Sequence, residues 1–285
     1  GGCIFYNPSY SKSSVADTGC QFLLSQSHKP LGPCYNTSDM RFRILLTAGM
    51  VFMLSVYTAS AFGQSGQSGQ AGEPQEATMQ EIRLPEAKRS GDMSLEQALY
   101  ERKSVRSFSD TPLSLEELAQ LLWAGNGTRV DAVSGPTRTA PSAGGLYPQE
   151  LFVFAGDVEG LDAGVYAYRP VRHSLLKIDE RDRRRELASA ALNQRFIASA
   201  PAVIVIGGVV ERTAAKYGNR GAERYVYMDA AHSSENIFLQ ATVLGLATVT
   251  VGAFRDSAVS SLLRPETGSP DRLPDARPIY IMPVG

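Results

Sequence analysis

The run YERKSVRSF (100–108) crowds Arg102, Lys103, Ser104 and Arg106 into five consecutive residues. Arginine offers a planar fork that matches phosphate oxygens, and a serine adds a hydroxyl or backbone donor, so the cluster suits a phosphate clamp. The same cations also suit a helix C-terminus for dipole reasons alone. A second stretch, RTAPSAGGLYPQELFVF (138–154), sets Pro141, Ser142, Ala143 and Gly144 just before an alternating apolar strand. Side-chain-poor backbone of this kind either comes close to something flat or turns tightly into an edge strand. A third feature is the pair Lys216-Tyr217 in KYGNRGAERY (216–225). Taken alone, the pair reads as a polar-loop lysine beside a packed tyrosine. Arg220, close behind, can pair with a phosphate or with an acidic neighbour. The fourth is Thr250, Val251, Gly252 and Ala253, which taken alone read as a buried strand with a glycine bulge.

Composition removes several other chemistries. With 285 residues, 43% hydrophobic and 20% charged, and a formal net charge of -1, the chain has globular composition and no electrostatic footprint for nucleic acid. Cys3, Cys20 and Cys34 all precede Asp39, so a catalytic cysteine, a zinc-thiolate site or a disulfide is not expected of the main domain. His232 fronts an apolar helix and reads as a satisfied core or interface residue, while His173 sits on a hairpin, so no metal site is expected. Ser142 lacks a G-x-S-x-G elbow, which disfavours a hydrolase. No P-loop or G-x-G-x-x-G follows a strand, so a nicotinamide would visit as substrate rather than be encoded by the fold. Tyr147, Tyr166, Tyr168 and Trp123 either line a pocket or fill the core, Trp123 more in keeping with the core.

The elements that must position these residues follow from periodicity and caps. Ser94 with Gln97 and Ser114 with Glu117 form capping boxes. They open helices over 95–102 and from 115 until Gly125 stops the second. A glycine-rich loop is expected over 125–139. Strands are expected at 151–155, at 164–168 and 175–178 as a hairpin, at 202–206 buried on both faces, at 247–254 and at 279–284. Helices are expected over 181–194 and 227–246. The folded domain begins near Ile82. The alternation, with its inserted hairpin, favours a sheet covered by helices.

Upstream, Met40 precedes Arg41 and Arg43, an apolar run over 44–57 and Ala59-Ser60-Ala61. These describe a secretory signal peptide over 40–61, cut after Ala61, which would export the protein. A retained membrane anchor over 44–62 is the alternative. Residues 1–39 then read as an over-extended start, and 62–81 as a flexible Gly/Gln/Ser linker.

In chain order RKSVR, LLWAGNG, RTAPSAGGLYP, GVYAYRP, APAVIVIGG, KYGNRGAERY, the helix bearing Asn236, GLATVTVGAF and PIYIMPVG resemble the nitroreductase-like flavoproteins. More narrowly they are similar to the SagB-type dehydrogenase branch, over about 95–285. The resemblance implies an α+β three-layer sandwich, a central, mostly antiparallel sheet flanked by helices, in a domain-swapped homodimer. It implies FMN bound non-covalently between protomers. The segment matching Arg102, Lys103, Ser104 and Arg106 would hold the phosphate. The segment matching Pro141, Ser142, Ala143 and Gly144 would reach the flavin ring from the partner subunit, and Thr250, Val251, Gly252 and Ala253 would lie along that ring. Lys216 and Tyr217 match the pair linked to proton removal in azoline oxidation. The implied activity is hydride transfer between flavin and a nitro or quinone compound or an azoline-type heterocycle, with NAD(P)H or oxygen as the other partner. The alternative is a non-catalytic flavin-binding or scaffold protein of the same fold.

Overall fold

Residues 80–133, 135–265 and 273–285 are described by a computed structural model of the chain. The signal peptide or anchor, the over-extended start and nearly all of the linker expected over 1–81 lie outside the described residues. The strands are β1 (Glu81–Arg83), β2 (Thr128–Asp131), β3 (Gly135–Arg138), β4 (Gln149–Ala155), β5 (Gly164–Arg169), β6 (Ser174–Asp179), β7 (Ala202–Gly208) and β8 (Arg277–Val284). The helices are α1 (Leu95–Glu101), α2 (Leu115–Asn126), α3 (Arg184–Ala190), α4 (Phe196–Ser199), α5 (Val210–Tyr217), α6 (Val226–Leu244) and α7 (Asp256–Leu262). No helix among the described residues is long and apolar enough to cross a membrane.

Strand period dictates the layers. Along β7, Ala202, Ile204 and Ile206 face one way, into a core shared with Leu118, Leu121 and Leu122 of α2 and Ile237 of α6. Val203 and Val205 face the other way, against Leu187 of α3, Ile197 of α4 and Val259 of α7. Successive side chains on a strand point to opposite faces, so a strand covered on both sides reads as an unbroken apolar run. The result is three layers: helices, sheet, helices. The main sheet has six strands in the order β1-β6-β5-β4-β7-β8. Every one of its pairings is antiparallel, with registers such as Leu151 opposite Ile206 and Ile204 opposite Met282. This is an α+β architecture of three layers, with the expected mostly antiparallel sheet.

Local expectations met different fates. Ser114 and Glu117 form the full capping box, Oγ accepting from the Glu117 amide at 3.2 Å and the Glu117 carboxylate accepting from the Ser114 amide at 2.9 Å. At α1 only half the box forms, because the Gln97 side chain turns to Glu101, 2.9 Å away. Helix α2 does not stop at Gly125. It continues to Asn126, and Gly125 is buried where a β-carbon would fall 2.8 Å from Cδ1 of Ile237. The loop expected over 125–139 contains the β2–β3 hairpin, masked in sequence by glycine and proline. The helix expected over 181–194 is shorter, α3 ending at Ala190 before Leu192 and Asn193 at φ 57° and 60°, and a separate short helix, α4, follows beyond that range. The strand expected over 247–254 makes only two isolated bridges to β8, Thr248 to Val284 and Val251 to Ile281. Helix α6 ends at Leu244, before Gly245.

Candidate active site

Two patches carry the residues singled out from the sequence. The first is built on the chain between β3 and β4. Ser142 Oγ donates to Oδ2 of Asp229 at 2.6 Å, and the Ala143 amide donates to the same carboxylate at 3.2 Å. The Tyr147 amide in turn donates to Ser142 Oγ at 2.8 Å. Asp229, in the first turn of α6, is only 2% exposed, so these donors are what compensates its burial. The carboxylate thus ties a side-chain-poor loop to the sheet-covering helix. The loop makes one tight helical turn, Ala143–Gly145, with Gly144 at φ 64°, a conformation that favours glycine.

Gly144 stands against the other expected site residues. A β-carbon on it would lie 2.8 Å from Nζ of Lys216 and would run into the Tyr217 hydroxyl. Lys216 and Tyr217 occupy the last turn of α5, a helix rather than the expected polar loop. Lys216 Nζ sits 5.4 Å from the Tyr217 ring, and Tyr217 meets Tyr225 edge-to-face at 5.0 Å. Lys216 is exposed, so burial that would tune it as a base is not seen among the described residues. Pro141 is exposed and its carbonyl lies 3.3 Å from Nδ1 of His232. His232 is therefore an exposed neighbour of the loop rather than a core residue. Arg220 and Arg224 are exposed.

The second patch joins the cation cluster to the segment after α6. The Val105 amide donates to the Thr248 carbonyl at 2.9 Å, and Val251 exchanges two backbone bonds with Ile281 of β8 at 2.8 and 2.9 Å. Arg102 lies over the Phe238 ring at 5.2 Å and Arg106 over the Phe196 ring at 5.9 Å. Lys103, Ser104 and Arg106 are exposed, as are Gly252 and Ala253, while Thr250 is half-buried and Val251 buried. Among the described residues none of the three cations makes an ion pair.

The two patches are not adjacent within one chain. Asp229, which holds the first, and Phe238, which underlies the second, are nine residues apart on α6. That spacing is roughly 13 Å along the axis and about half a turn out of phase. Sequence reading missed Asp229, Phe238 and Phe196. The available signal was an acidic residue at a buried position of an apolar helix, which asks for donors.

A cavity of about 560 Å³ has Arg138, Tyr147, Gln149, Glu150, Tyr168 and Arg212 on its walls. Tyr166 is fully buried in the core, whereas Tyr168 and Tyr147 reach the cavity. Trp123 is half-buried. Burial pushes the Tyr168 phenol well above its ordinary value. Its hydroxyl lies 2.8 Å from Nδ1 of His173, whose Nε2 is 2.8 Å from the Pro85 carbonyl. A carbonyl only accepts, so Nε2 carries the proton and Nδ1 accepts from Tyr168. Burial holds the His173 pKa below the usual histidine value, the Pro85 bond opposing it.

Residues 99–285 match the family description Nitroreductase family. A Methanocaldococcus jannaschii protein assigned by name to the nitroreductases is 42% identical over 205 residues, 72% of this chain and 96% of its own. A crystal structure from Ralstonia eutropha, likewise titled a nitroreductase, superposes with a TM-score of 0.60 at 29% identity, covering 72% of this chain and 88% of that one. A chain of the E. coli microcin synthetase complex shares the fold, with a TM-score of 0.52 at 21% identity, covering 70% of this chain and 75% of that one. The chain belongs to the nitroreductase family, a family of flavin-dependent oxidoreductases.

Proposed function

We propose that this chain, exported and working as a homodimer, is an FMN-dependent oxidoreductase that moves hydride between a small organic substrate and its flavin. The observation that carries this reading is the meeting of Gly144, Lys216 and Tyr217: bare backbone set beside a basic nitrogen and a phenol. The residues fit FMN on physical grounds. Arg102, Lys103, Ser104 and Arg106 offer cations and donors to a dianion, with no internal carboxylate to compete. Arg102 and Arg106 are held over aromatic rings, which lowers the entropy lost on gripping a phosphate. Gly144 lets bare backbone stand against the Lys216 amine and the Tyr217 hydroxyl, where any side chain would displace both.

Because the two patches lie on different sides of α6, one flavin touching both needs the Pro141, Ser142, Ala143 and Gly144 segment of one protomer and the cation cluster of its partner. A bound FMN would supply a two-electron centre that accepts or returns hydride. The segment Thr250, Val251, Gly252 and Ala253 would leave room beside it for a second molecule, its exposed residues Gly252 and Ala253 being small. Lys216 Nζ takes the proton that leaves the atom next to the hydride-losing carbon when a heterocycle is oxidised, or gives the proton that the oxygen of a nitro or quinone compound takes up on reduction, and the Tyr217 hydroxyl beside it orients that proton. The dimer closing over Lys216 would also remove it from bulk water. Both family chemistries fit this arrangement: NAD(P)H reducing a nitro or quinone compound, and a heterocycle oxidised with oxygen as final acceptor. The test is spectroscopic. Purified protein mixed with FMN should retain visible flavin absorbance after desalting and bleach with NAD(P)H or with a heterocyclic donor under anaerobic conditions. Protein that stays colourless in excess FMN would overturn the proposal.

A further inference from the structure

Tyr147 stands at φ 45°, a left-handed conformation that a β-carbon disfavours. It follows Gly144 and Gly145, which occupy the same region at φ 64° and 67° without that handicap. A residue so strained persists only where its surroundings fix it from several sides. Here both backbone groups of Tyr147 are held. Its amide donates to Ser142 Oγ at 2.8 Å, and its carbonyl accepts from Nη1 of Arg212 at 2.9 Å. The other terminal nitrogen of Arg212, Nη2, donates to Oε1 of Glu150 at 2.6 Å. One residue further on, the Pro148 carbonyl accepts the Val209 amide at 2.8 Å, at the start of α5. Loop and helix are thus joined at two successive residues.

The same helix and loop meet again where the chemistry is placed. Arg212 and Lys216 are four residues apart in α5 and so share one face, one turn from each other. Tyr147 and Gly144 are three residues apart in the loop. Arg212 grips the first, and Lys216 stands against the second, with Nζ 2.8 Å from where a β-carbon on Gly144 would fall. Fixing Arg212 on Tyr147 therefore also fixes the spacing of Lys216 from the bare backbone. Glu150 alone could be met by a lysine. Bridging a carbonyl and a carboxylate from one rigid plane needs the guanidinium fork.

We infer that Arg212 is a positioning residue of the proposed reaction. Through the Tyr147 carbonyl it holds the loop in its left-handed turn, and so sets the Gly144 backbone against the Lys216 amine and the Tyr217 hydroxyl. Its part in turnover rests on the flavin reading; its grip on the loop does not.

The test pairs hydrogen exchange at the Ala143 and Tyr147 amides, with and without FMN, with turnover of the FMN-loaded protein on NADPH and 1,4-benzoquinone. Arg212→Met removes one charge-assisted bond and should speed exchange of both amides about 10-fold or more. It should lower kcat about 10-fold while moving KM for the quinone less than about twofold, since no substrate contact is lost. Arg212→Lys keeps the charge and can still reach Glu150, yet should behave like the methionine variant in both measurements. Adding Tyr147→Asn, a residue more at ease in the left-handed region, should restore a large part of both losses. An arginine that only stabilised the fold would give no such rescue and would leave kcat of the folded fraction unchanged. Unchanged exchange in Arg212→Met, or wild-type kcat in a variant whose exchange has quickened, would overturn the inference while leaving the flavin reading intact. Wild-type protein that takes up no FMN would overturn the flavin reading itself, and with it the part of Arg212 in the reaction.

Discussion

Asp229 and Ser142, 87 residues apart in the chain, are joined by a 2.6 Å hydrogen bond in which the buried carboxylate accepts the serine hydroxyl. The same carboxylate accepts the Ala143 amide, so one side chain sets the height of the loop that carries Gly144. Replacing Asp229 by alanine strands both donors, and the predicted loss is about 2–4 kcal/mol of unfolding free energy. Asp229→Asn keeps an accepting oxygen and should lose less. Urea unfolding of the two variants checks the order; equal losses would show that the loop is held by other means.

Gly144 makes the complementary prediction. Its φ of 64° costs a side-chain-bearing residue about 1–2 kcal/mol, and a methyl group there displaces Lys216 Nζ and the Tyr217 hydroxyl. Gly144→Ala should therefore combine a modest drop in the urea midpoint with a much larger drop in turnover. Wild-type turnover in a destabilised variant would separate the glycine from the chemistry.

Acid sensitivity follows from His173. Its pKa is held below the ordinary 6.5, so the folded state binds fewer protons than the unfolded chain there. The stabilisation from its neutral form is fully present above about 6.5, diminishes as pH falls below that value, and is gone once pH passes the folded-state pKa. Asp179 adds a second, lower step. Burial would raise it, but the Arg181 amide and the guanidinium groups of Arg183 and Arg181 outweigh that and hold it below 3.8, so its contribution fades only below that value. Unfolding free energy measured from pH 7.5 downward should slope in the first window for the wild type. In His173→Gln that slope should be missing while the Asp179 step remains.

How far the sequence carried can be judged element by element. Ser114 and Glu117 announced α2, and the unbroken apolar run of β7 announced a strand covered on both faces. Those signals are local, and tertiary packing agreed with them. Gly125 misled because its missing side chain answers Ile237, 112 residues later, rather than its own helix end. The β2–β3 hairpin was hidden because Pro136 and Gly135 erase the period of two. For the site, each segment was legible but its support was not. Asp229 under Ser142, Phe238 under Arg102 and Phe196 under Arg106 are long-range pairings that no spacing reveals.

The Gly125–Ile237 contact is itself testable. Helix propensity alone predicts that Gly125→Ala gains about 1 kcal/mol. Crowding against Ile237 and Leu151 predicts instead a net loss of about 1–3 kcal/mol. Ile237→Val removes the nearer contact, so the double variant should lose less than the two single losses added together. Simple additivity in a thermodynamic cycle would count against the packing explanation.

Subunit mixing tests most directly whether two protomers share one flavin. Arg102→Ala/Arg106→Ala disables the cation cluster, and Gly144→Val disables the loop, so each homodimer alone should fail to bind FMN. After unfolding and refolding together at equal amounts, random pairing puts one intact site in about half of the dimers, and FMN binding should return to about a quarter of the wild-type level. No recovery in a mixture whose subunits have demonstrably exchanged would contradict a site built from both chains.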